Sequence, residues 1–200
     1  MYPDLQFDAA YWQQRYTIGQ TGWDVGGITP PLREYFAQIG PPDARRILIP
    51  GAGRAYEAEY LHQQGWPNVL VADLVPEPLA DLKARVPAFP TEHLLVQDFF
   101  QLEPASSFDL IIEQTFFCAL PPSLRPAYAQ QCAHLLKPGG KLVGLLFNTH
   151  FSQAGPPFGG LQSEYEELFA PHFTFIHFEP ATNSIRPRQG RELFICLKKK

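Results

Sequence analysis

Three carboxylates and a glycine turn are the residues whose types and spacing suggest chemistry. Asp73, Asp98 and Glu113 each follow a short apolar run, and the run Ile47-Leu48-Ile49 ends in Pro50-Gly51-Ala52-Gly53. A carboxylate that accepts from both hydroxyls of a ribose fixes the sugar through charge-assisted hydrogen bonds. Asp73 stands twenty positions after Gly53, the spacing of a nucleoside-binding βαβ unit. Asp98 is expected to accept from an adenine amino group with Phe99 packed beside the ring, and Glu113 to face a cationic amine toward the reacting end. Any one acidic residue at a strand end is more simply a solvated loop residue or a helix cap. Three in register with a glycine turn read better as one site.

The departures of the glycine turn from its relatives narrow the ligand. A dinucleotide site follows GxGxxG or GxGxxA, the last small residue letting the helix pack closely while its N-terminus meets a pyrophosphate. Here that place holds Tyr56. A bulky ring is awkward for NAD and matters less for S-adenosylmethionine, which brings no phosphate. The chain has no GK[ST], so a Walker-type loop is excluded. The sequence offers no evident nucleophile-base pair, and its six histidines are scattered, more simply surface or packing residues than bases. No His, Cys and carboxylate cluster has metal-ligand spacing. No catalytic acid, base or metal is therefore assigned.

The elements that must position these residues alternate. Asp8 can cap a short helix over Ala9 to Tyr16, with Trp12 and Tyr16 on one face. A loop with Gly19, Gly22, Gly26 and Gly27 carries Trp23-Asp24, and a second helix runs from Pro31 to Ile39 before Gly40-Pro41-Pro42. Strands are expected at Ile47–Ile49, Val69–Ala72, His93–Val96, Phe108–Ile112 and Lys141–Phe147. Helices follow Gly53, Glu77 and Pro122. This alternation implies an open, doubly wound, mostly parallel sheet. Two late β-rich runs, Phe173–Phe178 and Glu192–Leu197, are joined without a helix and are most simply antiparallel.

Composition bounds the partners. The 200 residues, 45% of them apolar, suit one domain, with residues 1–40 as a helical lid segment and 41–200 as a Rossmann-like core. A formal net charge of −4 and a single basic run, Lys198-Lys199-Lys200, argue against nucleic acid as a main partner. No run approaches a membrane span, and no secretory leader is evident. Cys118, Cys132 and Cys196 form an odd set without CxxC, as suits a reducing cytoplasm. A monomer is expected, with an oligomer left open.

Several stretches together resemble a known group. They are Trp12 with Trp23-Asp24, Pro50-Gly51-Ala52-Gly53, Asp73, Gln97-Asp98-Phe99, Phe108-Asp109-Leu110-Ile111, Phe116-Phe117-Cys118-Ala119-Leu120, Leu136-Lys137-Pro138-Gly139-Gly140 and Gly155-Pro156-Pro157-Phe158. This set is similar to the thiopurine S-methyltransferase family, and especially to its thiol and halide methyltransferase branch, among the class I S-adenosylmethionine-dependent methyltransferases. The glycine turn and the KPGG turn are generic to that class; the tryptophan-rich N-terminus and FFCAL are more specific. The resemblance implies that Trp12 and Trp23 close over the cofactor, that Gly51 and Gly53 line it, and that Asp73, Asp98 and Phe99 hold ribose and adenine, Glu113 being a less secure transfer. Two departures are visible: Ala52 replaces a frequent cysteine, and Tyr16 stands where the halide branch often has another tryptophan.

The expected reaction is methyl transfer from S-adenosylmethionine to a thiol, thiopurine or halide-like nucleophile by direct in-line displacement. The protein then aligns and desolvates rather than removing a proton. Trp12 or Trp23 could meet the sulfonium by cation-π contact, and Tyr16, Phe117 and Phe158 could wall the acceptor pocket, although core packing explains Phe117 equally well. Arg186 and Arg188 could attract an anionic acceptor, a solvated loop being the simpler reading. The competing readings are a nicotinamide-dependent oxidoreductase, which Tyr56 opposes, and a non-catalytic S-adenosylmethionine-binding protein.

Overall fold

The computed structural model describes residues 7–103 and 108–200. Residues 1–6 of the expected lid segment lie outside the described residues. Seven strands form one sheet: β1 (Ile47–Pro50), β2 (Val69–Asp73), β3 (Leu94–Val96), β4 (Phe108–Gln114), β5 (Leu136–Phe147), β6 (Phe173–Pro180) and β7 (Glu192–Lys199). Their order is β3-β2-β1-β4-β5-β7-β6. The first five are parallel, and β7 enters antiparallel between β5 and β6. The expected fold class is therefore observed.

Alternation along the strands builds two cores. Ile47 and Ile49 face one side of β1 and Leu48 the other, as the two-residue period of a strand requires. The first pair joins Leu32 and Phe36 of α2 (Pro30–Gln38), Ala58 and Leu61 of α3 (Tyr56–Gln63), and Leu79 and Leu82 of α4 (Pro76–Arg85). Leu48 joins Tyr128 and Cys132 of α5 (Arg125–Leu135) and Tyr165 and Phe169 of α6 (Gln162–Phe169). Burial on both faces explains why β1 reads as an uninterrupted apolar run.

Two boundaries differ from expectation. Ala55 lies outside α3: it takes a left-handed conformation at φ +56°, like Gly51 and Gly53 at +53°. The glycine turn is thus longer than its motif. β5 begins at Leu136, and its ladder with β4 steps from Phe108↔Leu136 to Leu110↔Lys141, so Lys137-Pro138-Gly139-Gly140 form an irregularity within the strand.

The helix α1 (Ala9–Thr17) is capped by Asp8, whose Oδ1 accepts from Tyr11 N at 2.9 Å. It contains no buried residue, which distinguishes it from the helices that cover the sheet. Among the described residues no helix is long and apolar enough to cross a membrane.

Candidate active site

Strand order reverses between β1 and β4, and in open α/β sheets ligands bind outside the carboxyl ends of the strands at that point. A cavity of about 520 Å³ opens there. It follows the sheet edge from Asp98 after β3, past Asp73 on β2 and Gly51 and Gly53 after β1, to Thr115 and Phe116 after β4 and Phe147 at the end of β5. Trp12, Tyr16 and Trp23 line it from the N-terminal segment.

Each carboxylate at the first end is prepared differently. Asp73 Oδ1 accepts from Val75 N at 3.1 Å. Burial pushes its carboxyl up to about 6, against the hydrogen bonds of Val75, Gly53, Leu74 and Ala52. Asp98 caps the single helical turn Phe99–Gln101, with Oδ1 accepting from Phe100 N at 3.0 Å. Phe99 is mostly buried, edge-on to Phe116 at 5.4 Å between ring centres.

The aromatic lid is a connected set. Trp12 and Trp23 meet edge to face at 5.5 Å, as do Tyr16 and Trp23 at 5.6 Å. Trp12 Nε1 donates to Phe7 O at 3.1 Å. A Cβ placed on Gly53 would lie 3.4 Å from Trp23 Nε1, so the glycine turn and the lid are in contact. Burial, then the charge of Asp73, raises Tyr16 above its ordinary phenol range. Asp24 secures the loop, accepting from Tyr56 Oη at 3.1 Å and pairing with Arg54 Nε at 3.3 Å.

Three expected site residues do not line the cavity. Glu113 is fully buried, its carboxylate turned beneath the segment after β4, where it accepts from Phe116 N, Phe117 N and Tyr128 Oη. The expectation that it meets a cationic amine is corrected accordingly. Phe117 is 1% exposed in the core beside Tyr128 and Tyr165. Phe158 stands behind the wall, edge-on to Phe7 at 5.6 Å, with its N donating to Cys118 O. The cavity instead presents Phe116, Thr115, Cys118, Phe147, Pro156 and Pro157. The FFCAL stretch thus contributes through Phe116, Cys118, Ala119 and Leu120 rather than through Phe117.

Arg188 is 7% exposed and lines the cavity. Its Nη2 donates to Trp23 O at 3.0 Å, its Nη1 lies 3.4 Å from Glu192 Oε1, and its guanidinium stands 5.7 Å from the Phe147 ring centre. Arg186 belongs to the same single helical turn and is not among the lining residues. His150 is exposed and also outside the lining.

The sequence profile of the thiopurine S-methyltransferase family matches residues 7–195. The chain belongs to that family. A probable thiol methyltransferase 2 of Arabidopsis thaliana is 34% identical over 185 residues, covering 90% of this chain and 81% of the relative. Thiocyanate methyltransferase 1 of Brassica oleracea is 29% identical, with the same coverage. Among solved structures, the 1,6-didemethyltoxoflavin-N1-methyltransferase of Burkholderia thailandensis, with bound 1,6-didemethyltoxoflavin and S-adenosylhomocysteine, superimposes with a TM-score of 0.75 at 23% identity, covering 96% of this chain and 87% of that one. Family membership makes this chain a small-molecule methyltransferase dependent on S-adenosylmethionine.

Proposed function

We propose that the protein methylates a small soft nucleophile, a thiol, thiopurine or halide-like anion, held between the aromatic lid and Arg188. The observation that carries this reading is the polarity of one cavity: carboxylates at the β2 and β3 end, and a buried guanidinium at the β5 end.

The residues fit the cofactor. Asp73 supplies acceptors for the ribose hydroxyls, Asp98 for the adenine amine, and Phe99 an apolar edge; Gly51 and Gly53 let the backbone approach the methionyl arm. A pyrophosphate is poorly served, because the first turn of α3 carries Glu57 and Glu59 and begins at Tyr56, whose hydroxyl is committed to Asp24. This opposes the nicotinamide reading.

When bound, S-adenosylmethionine supplies a sulfonium-activated methyl group that needs no further activation. The protein's residues then align and exclude water. Trp12, Tyr16 and Trp23 cover the methyl-bearing end, and their ring faces favour a cation. Arg188 attracts the anionic acceptor, and Phe147, Pro156, Pro157 and Cys118 give it a desolvated, polarizable wall in which a soft anion is a better nucleophile. Burial pushes the Cys118 thiol up to about 12, so it remains a neutral packing group beside the acceptor.

The expected lid of residues 1–40 shortens to residues 7–29 among those described, since Leu32 and Phe36 of α2 lie in the sheet core. With that lid on one domain, the chain works as a monomer on a small molecule without nucleic acid or membrane, and its three free, buried cysteines suit the cytoplasm. The test is a product screen with S-adenosylmethionine and iodide, thiocyanate, sulfide, thiols, thiopurines or tellurite. A methylated soft acceptor is expected; S-adenosylhomocysteine binding with no product from any acceptor would leave the non-catalytic alternative.

A further inference from the structure

We propose that Glu113 is a positioning residue for methyl transfer, acting through the turn after β4 to hold the Phe116 ring against Gly51 as a fixed wall of the cofactor channel. The inference rests on the cofactor reading above.

The buried carboxylate has an unusual set of partners. Its Oε1 accepts from Phe116 N at 2.8 Å and Phe117 N at 2.9 Å, and its Oε2 accepts from Tyr128 Oη at 2.6 Å. None of these donors is a cation, so hydrogen bonds alone offset the desolvation of the group. Two of them are consecutive backbone donors, which fixes the direction of the chain as it leaves the strand. Space for this arrangement comes from Gly144, paired with Glu113 across β5: a Cβ there would fall 2.1 Å from Glu113 O.

A second, independent feature lies in the same turn. Thr115 has φ +61°, a left-handed conformation that a β-branched residue adopts only where its surroundings enforce it. Its Oγ1 donates to Gln114 O at 2.7 Å, and Cys118 Sγ donates to Thr115 O at 3.3 Å. Strain at Thr115, held by the clamp at Glu113, gives two consecutive phenylalanines different surroundings, although both rings touch Tyr128. Phe117 enters the core, 5.1 Å from the Tyr128 ring centre. Phe116 faces the cavity, over Gly51 and edge-on to Phe99. Its ring thus joins the glycine turn to the adenine end, where a displacement of about 1 Å is enough to misalign a bound methyl donor.

The proposal separates hydrogen bonding from charge. In Glu113→Gln the amide oxygen can still accept both backbone N–H groups, and the amide nitrogen can donate to Tyr128. E113Q is therefore expected to keep S-adenosylhomocysteine affinity within about threefold of wild type, whereas E113A and F116L each lose about tenfold or more. Because both act on one ring, the E113A/F116L double variant should lose little beyond the worse single variant, within about threefold. Calorimetry reads the affinities, and kcat should fall with them in E113A and recover in E113Q.

A loss of about tenfold or more in E113Q would mean that the charge itself is used, and would overturn the proposal, as would wild-type affinity in E113A or multiplying losses in the double variant. Should E113A fail to fold, E113Q and F116L carry the test, since both keep an acceptor for the Phe116 and Phe117 N–H groups. Wild-type protein that does not bind S-adenosylhomocysteine would instead sink the cofactor reading.

Discussion

Phe116 lies directly over Gly51: a Cβ built on that glycine would fall 2.0 Å from Phe116 Cδ2. Gly51 also has φ +53°, so an alanine there is opposed by both backbone and ring. We expect G51A to cost about 2–4 kcal/mol of stability and to weaken S-adenosylhomocysteine binding as the ring is pushed aside. Thermal unfolding and calorimetry check this; a variant with wild-type Tm and Kd contradicts the packing described.

Asp73 gives cofactor binding a pH dependence. Its carboxyl titrates near 6 in the free protein because of burial, and the ionised form is the better acceptor for two hydroxyls. Affinity should be flat above neutral pH and fall by up to about tenfold per pH unit below about 6. D73N should lose about tenfold or more at neutral pH and show no such slope. A parallel slope in D73N would assign the titration to another group.

The free protein should be more stable in mild acid. Burial raises Glu57 and Glu113 from 4.5 to about 7, and Asp73 from 3.8 to about 6. A raised carboxyl binds its proton more tightly in the folded state, so its contribution is complete below the unfolded pKa and is lost as pH climbs through the folded one. Tm should therefore fall by about 5 °C or more between about pH 5.5 and about pH 8. Scanning calorimetry without ligand tests this, and a Tm that rises over that interval refutes it.

Arg188 should discriminate among acceptors. R188M is expected to raise the KM for iodide or thiocyanate about tenfold or more, while changing the Kd for S-adenosylhomocysteine by less than about threefold. Neutral acceptors should be affected less than anions. Equal losses for both would assign Arg188 to holding the Trp23 carbonyl alone.

The parts of the site carried by spacing were legible in the chain: the glycine turn, Asp73 and Asp98 reach the cavity because a parallel strand delivers its C-terminal residue to one sheet edge. Glu113 shows where that logic ends. A strand-end carboxylate has the same sequence signature whether it points outward or under the following turn, and the donors that turn it inward come from Phe116, Phe117 and the distant Tyr128. The exchange of Phe117 for Phe116 has a related cause, since their directions depend on a left-handed threonine that no propensity would suggest. Arg188 read as a loop cation because its burial comes from Phe147, Trp23 and Glu192, which lie far away or carry no evident pairing pattern. The sheet was readable as alternating apolar runs; the step at Lys137-Gly140 was hidden because its residues also spell an ordinary turn, and so was the register shift between Phe175 and His177 in the β6–β7 ladder.

The bond from Arg188 to Trp23 O joins groups 165 positions apart, and β7 slots between two strands synthesised before it. During synthesis β6 therefore has no strand to pair with until residues 192–199 have emerged, because β7 is its neighbour in the sheet and itself pairs with β5. Such non-local closure slows folding. The last strand to be made thus both docks β6 onto the sheet and brings the carboxylate that faces the Arg188 guanidinium.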